Sequence, residues 1–174
     1  TRLGINHLPY ALRWERGKPL SACPCFVTAD TDFVSAAAIM NAFVQRPEHT
    51  AWQHFLFCCQ SLGIPGAEQA VTQMLAADYL LANTDRHLGN FGALRNAQTF
   101  EWIGMAPVFD SGTSLWQLDQ THFIPDDHYF PAKPFAAKQE DQLRLLDPSF
   151  LAGLPWGNLA DLGQVSYTLL ASSP

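Results

Sequence analysis

The chain has 174 residues, enough for one domain with a sizeable core and short for two. Hydrophobic residues make up 48% and charged residues 15%, a balance that excludes a disordered chain. A net charge of -6 without a local basic stretch argues against direct nucleic-acid binding, and no apolar run is long enough for a membrane span.

The opening segment alternates loosely through Ile5, Leu8, Tyr10, Leu12 and Trp14. A turn at Arg16-Gly17-Lys18-Pro19 follows, so two short strands are expected. This N-terminus shows neither a charged region leading into an apolar run nor a small-residue cleavage site, so a reducing cytoplasm is the expected compartment. Cys23 and Cys25 form C-P-C, too tight for a zinc knuckle, and Cys58 and Cys59 are vicinal in an apolar stretch. All four are expected as buried free thiols.

Thr28 to Asp32 offers N-cap residues before Phe33, Ala37, Met40 and Val44, which predicts a first helix ending near Pro47. A second helix is predicted from Glu48 to Leu62, with Gly63 as its stop and Trp52, Phe55, Leu56 and Cys59 on its apolar side. The third, Ala67 to Ala82, presents Ala67, Ala70, Val71, Met74, Leu75, Tyr79 and Leu81 as a broad apolar face. It ends on Asn83-Thr84-Asp85, residues that favour turns over helix interiors.

Beyond it, Phe91–Leu94 and Thr99–Ile103 flank a polar tip at residues 95–98, the pattern of a hairpin. Pro107-Val108-Phe109 then reads as a strand breaking on Asp110-Ser111-Gly112. Residues 117–137 form a long loop rich in Pro, Asp, His and aromatics. Leu143, Leu145, Leu146, Leu159, Leu162, Leu169 and Leu170 mark a helical tail. The remaining aromatics are expected in the core.

The chemistry concentrates in Asn83-Thr84-Asp85-Arg86-His87-Leu88-Gly89-Asn90 and, about twenty residues on, Phe109-Asp110-Ser111-Gly112. An acid at the end of a buried helix can orient a substrate hydroxyl and take its proton. A carboxamide five residues later and a second acid at a strand end supply hard oxygens suited to magnesium. A positioned acid with a metal is the main equipment of phosphoryl transfer. Each piece also has a plainer reading, since Asn-Thr-Asp and Asp-Ser-Gly are ordinary turn sequences. Asp78 reads as a buried polar partner of the loop, and Arg86 as the partner of an acidic loop residue. His122, Asp126, Asp127 and His128 look like metal ligands but read better as a solvated acidic loop.

Asp85 to Asn90 is D-x4-N, followed by a hairpin and F-D-x-G, the order found in protein kinases. The segment DRHLGNFG…APVFDSG resembles the C-lobe of HipA-type bacterial serine/threonine kinases, and Asp-Arg-His-x-x-Asn is also similar to the catalytic loop of phosphatidylinositol kinases. The resemblance covers roughly Ile5 to Ser114. It implies an α+β, mainly α fold: a kinase-like C-lobe over residues 29–174, with a short β-hairpin and an N-lobe remnant and hinge over 1–28. It further implies Asp85 and His87 as catalytic residues, with Asn90 and Asp110 as the ligands of ATP-bound Mg2+.

No glycine-rich loop or strand lysine precedes the catalytic segment, and Lys18 lies in a turn. The chain is therefore expected to be a fragment of the full enzyme, weakly active or inactive alone. The implied partners are a protein substrate and an antitoxin-like or regulatory protein, as in toxin–antitoxin systems. A non-catalytic pseudokinase-like module is the competing class, and a metal-dependent hydrolase built on His87, Asp110, His122 and His128 is a third.

Overall fold

The computed structural model describes residues 2–114 and 131–161. The chain opens with β1 (Ala11–Glu15) and β2 (Lys18–Ala22), an antiparallel pair in which Glu15 faces Lys18. Arg16 and Gly17 both take positive φ, the left-handed pair that a two-residue hairpin turn needs. This hairpin is the expected one, but its side chains are largely exposed, with Leu12 and Trp14 more than 60% accessible (67% and 64%).

The second sheet is antiparallel, in the order β3 (Thr31–Ser35), β4 (Gly92–Asn96), β5 (Trp102–Met105). Here the expected first helix is corrected. Phe33-Val34-Ser35 is strand, and only Ala36–Met40 forms helix α1, capped by the Ser35 side chain, which accepts from the Ala38 N–H. The aromatic and β-branched residues pair with β4, and the alanine run behind them turns helical. Two first-turn N–H groups of α1 find partners outside the helix: Ala36 donates to Phe91 O and Ala37 to Leu88 O, both at the end of the Asp85 loop.

Close approach sets this register. Gly92 lies opposite Ser35, and a Cβ on Gly92 would sit 2.1 Å from the Val34 carbonyl oxygen. Gly92→Ala is therefore expected to destabilise by about 1–3 kcal/mol or more, because backbone rather than a flexible side chain must yield. A denaturant midpoint unchanged by the substitution would show that β3 does not hold this register.

Helix α2 (Ala51–Leu62) begins three residues later than expected, at a Thr50–Gln53 capping box, and stops at Gly63 with φ 72°. Helix α3 (Ala67–Leu81) lies where its periodicity places it. The core gathers Ala36 and Ile39 of α1, Trp52, Phe55, Cys58 and Cys59 of α2, Val71, Met74 and Leu75 of α3, and Phe91 and Ala93. Burial pushes the Cys58 thiol up and the Cys59 thiol up to about 12, so neither is a nucleophile at neutral pH.

Cys23 and Cys25 are exposed, contrary to expectation, because they follow the solvent-facing hairpin rather than a core element. Tyr79 and Leu81, expected on the apolar face of α3, are 42% and 40% accessible, and Leu81 lines an open hollow rather than the closed core. Tyr10, Trp14, Phe100 and Trp156 are likewise exposed, not core.

The expected hairpin is shifted by one to three residues. Arg95 and Asn96, assigned to its tip, belong to β4, and Arg95 pairs with Asp32 across the sheet at 2.7 Å. Pro107–Phe109 is no full strand; Val108 forms an isolated parallel bridge with His7. The tail is broken into α4 (Gln139–Leu143), α5 (Ser149–Ala152) and a 3-10 turn at Trp156–Leu159. Leu162, Leu169 and Leu170 lie outside the described residues, as do His122, Asp126, Asp127, His128 and most of the 117–137 loop. Among the described residues no helix is long and apolar enough to cross a membrane.

Candidate active site

The site starts from the way α3 ends. Ala82 takes a left-handed φ of 51° and terminates the helix, while the Asn83 N–H returns to the Asp78 carbonyl at 2.9 Å. Asp78, in the last turn, is 1% exposed. Its carboxylate accepts from Asn83 Nδ2 at 2.8 Å and from Arg86 Nε and Nη2 at 2.7 and 2.8 Å. Sequence reasoning placed Asp78 as a buried partner of the loop, and its partner is Arg86.

Arg86 is also 1% exposed, and all five N–H donors of its guanidinium are used. Besides Asp78, Nη1 donates to the Asn90 carbonyl at 3.0 Å and to the Phe109 carbonyl, and Nη2 donates to Ser111 Oγ at 3.1 Å. One nitrogen thus bridges the backbone beside Asn90 and the backbone beside Asp110. The two segments, about twenty residues apart in sequence, are brought together by this side chain. Thr113 adds a second tie by donating to Asn83 Oδ1 at 2.7 Å.

Within the loop, His87 N–H donates to the Asp85 carbonyl at 2.8 Å, and Asn90 Nδ2 donates to the same oxygen at 3.3 Å. With its amide nitrogen so engaged, Asn90 keeps its side-chain oxygen as an acceptor that receives no hydrogen bond among the described residues. Asp110 follows at a left-handed φ of 51°, which Asp tolerates better than most residues. Its N–H donates to the Tyr10 hydroxyl at 3.1 Å, and its exposed carboxylate has no partner among the described residues. Phe109 just before it packs on Phe26 and Phe33, with centroids 5.2 and 5.7 Å away.

A carboxamide oxygen and a carboxylate on adjoining segments are hard donors, few in number. They fit an ion that keeps waters and substrate phosphates in its shell, as magnesium does. Among the described residues no three His, Cys, Asp or Glu side chains gather as a metal cage. Two of the histidines of the hydrolase reading, His122 and His128, fall outside the described residues.

Asp85 carries a partner that sequence reasoning missed. Lys133 Nζ lies 2.7 Å from its Oδ1. The Lys133 hydrogen bond holds the Asp85 carboxyl below the usual carboxylate range, helped by the charges of Lys133 and His87 and opposed by desolvation. His87 is exposed, and its Nδ1 accepts the Gly89 N–H at 3.1 Å, so a neutral ring carries its proton on Nε2.

A cavity of about 600 Å³ lies beside this region, among Leu3, Ile5, Leu8, Leu80, Leu81 and Val108. It reaches the site only through Tyr10 and Ser111 and includes neither Asp85 nor Asn90. The polar constellation, rather than this apolar hollow, marks the chemistry.

No family model matches the chain. Among curated proteins it is 29% identical over 122 residues to the serine/threonine-protein kinase CtkA of Helicobacter pylori, a match that covers 66% of this chain and 37% of that kinase. Among solved structures it is similar to that of the Helicobacter pylori proinflammatory kinase CtkA. The TM-score is 0.54 and the identity 27%, covering 66% of this chain and 44% of that one. The chain therefore spans less than half the length of the relatives it matches. At family level the similarity is to a serine/threonine kinase, and the mixed α/β fold with small sheets is similar to that kinase's.

Proposed function

We propose that this chain carries the catalytic half of an ATP- and magnesium-dependent phosphotransferase of the HipA-like class, acting on a protein hydroxyl. The observation that carries the reading is the buried Arg86, which ties the Asn90 and Asp110 segments to the end of α3 beside Asp85. The similarity to a serine/threonine kinase supports the same class. In this reading residues 29–174 are the kinase-like C-lobe and residues 1–28 the last of the N-lobe and the hinge. An antitoxin-like or regulatory protein would be a partner, in the cytoplasm.

In the proposed reaction Asp85 orients the acceptor hydroxyl and takes its proton as the acceptor oxygen bonds to the γ-phosphorus. The bond from that phosphorus to the bridging oxygen breaks, and ADP leaves. Asn90 and Asp110 would hold magnesium, which when bound neutralises phosphate charge. His87, with its proton on Nε2, offers a donor to the transferring group.

The test is a nucleotide titration of the full-length chain with and without magnesium, repeated on Asp110→Asn. That variant removes an anionic ligand while keeping the side chain's shape. The magnesium-dependent part of ATP affinity is expected to fall at least about tenfold, since even outer partners of metal ligands contribute that much. ATP binding that ignores magnesium in the parent chain, or a magnesium response untouched by Asp110→Asn, would refute the metal assignment.

A further inference from the structure

Transfer of a phosphate at Asp85 gathers negative charge from the phosphates, Asp85 and Asp110, and it needs a cation near the moving group. Arg86 is not that cation. It is buried, and all five of its donors are engaged within the fold.

Lys133 differs in each respect. Its side chain is 55% exposed, and its ammonium lies 2.7 Å from Asp85 Oδ1, whose own side chain is 43% exposed. So exposed a pair adds little to fold stability. The segment that presents it is nevertheless firmly anchored. Phe135 packs its ring against Trp52, Phe55 and Phe91 at 4.9, 5.6 and 6.1 Å, and its N–H donates to Gln142 Oε1 at 3.2 Å. Buried Gln139 donates from Nε2 to the Asn83 carbonyl at 2.8 Å and the Pro131 carbonyl at 3.3 Å, joining this segment to the catalytic loop. Ala132 N–H bonds to the Ala137 carbonyl at 2.9 Å. Fixed structure on both sides thus anchors the backbone at Lys133, whose ammonium reaches the Asp85 carboxylate.

We propose that Lys133 binds the γ-phosphate of a nucleoside triphosphate at Asp85, an inference that rests on the phosphotransferase reading. An ammonium has three donors and acts as a compact point charge. It can therefore keep one contact to Asp85 and give another to a phosphate oxygen. The ligand class is a triphosphate rather than a diphosphate, because the group transferred to the hydroxyl at Asp85 is the terminal phosphate.

The experiment uses the full-length chain with Lys133→Met and Lys133→Arg. Equilibrium titrations with a non-hydrolysable ATP analogue and with ADP, both with magnesium, are paired with kcat and KM for ATP. Lys133→Met is expected to weaken the triphosphate analogue about tenfold, as loss of a hydrogen bond to a charged group does, with ADP affinity unchanged. Its kcat should fall by about 10- to 100-fold, and Lys133→Arg should restore most of both losses. The melting temperature should stay near that of the parent, since the side chain is exposed. Equal losses for both nucleotides, no loss for either, or unfolding of Lys133→Met would overturn the proposal and leave Lys133 a structural residue. A parent chain that binds no nucleotide overturns the phosphotransferase reading, and this inference with it. A parent that binds and turns over ATP just as Lys133→Met does overturns the Lys133 assignment alone.

Discussion

Arg86→Ala is expected to cost about 3–5 kcal/mol of stability, the penalty for stranding one member of a buried ion pair. Asp78, 1% exposed in the parent, would keep only Asn83 as a partner for its carboxylate, and the carbonyls of Asn90 and Phe109 would lose their shared donor. Out of a typical total of about 5–15 kcal/mol, such a loss would leave little or nothing folded at 37 °C. Arg86→Lys should recover only part, because a single ammonium cannot reproduce the two-toothed grip on Asp78 while reaching Asn90, Phe109 and Ser111. The double variant Asp78→Leu with Arg86→Met separates the two roles. Removing both charges should restore much of the stability, yet the ties between the Asn90 and Asp110 segments would still be missing. Nucleotide turnover should then stay low in a folded protein. A denaturant midpoint for Arg86→Ala within the error of the parent would show that the guanidinium does not hold the site together.

The parts of this fold legible in the sequence are those set by local pattern. Helix α3 shows its periodicity and its stop, and the β1–β2 turn shows its glycine. The order of loop, hairpin and F-D-x-G was also readable, since spacing is a property of the chain. The split of one expected helix into β3 and α1 was not. Phe33 sits four and seven residues before Ala37 and Met40, a helical spacing, and only pairing with β4, at the close approach of Gly92, makes it and Val34 strand. The same limit hid the wiring of the site. Arg86 was expected to meet an acid in the loop, yet its acidic partner lies eight residues back on α3, and besides the nearby Asn90 carbonyl its contacts are 23 and 25 residues ahead. Lys133 stands 48 positions from Asp85, in a stretch whose composition reads as an irregular loop. Nothing local distinguishes it from a solvated lysine. Its Phe135 neighbour, which packs into the α2 face, is the residue that fixes its place.

Asp85→Asn is expected to lower turnover of the full-length chain by about 10²- to 10⁴-fold, the usual worth of a positioned general base. The loop should survive the change, because it is built on the Asp85 backbone. His87 N–H and Asn90 Nδ2 both donate to the Asp85 carbonyl, and neither bond involves the carboxylate. What the carboxylate itself holds is the exposed contact with Lys133, worth about 0–1 kcal/mol, so the melting temperature should move only slightly. Nucleotide and magnesium affinities should stay close to those of the parent, since Asp85 meets the acceptor hydroxyl rather than the metal. Loss of an interaction made mainly in the transition state lowers kcat and kcat/KM together and leaves ground-state binding nearly intact. Asp110→Asn should behave oppositely on a metal titration, with magnesium affinity and turnover falling together, so the two substitutions distinguish base from ligand. Full turnover in Asp85→Asn would sink the phosphotransferase reading of this loop. Unfolding of Asp85→Asn would instead mean that the carboxylate serves as a structural cap.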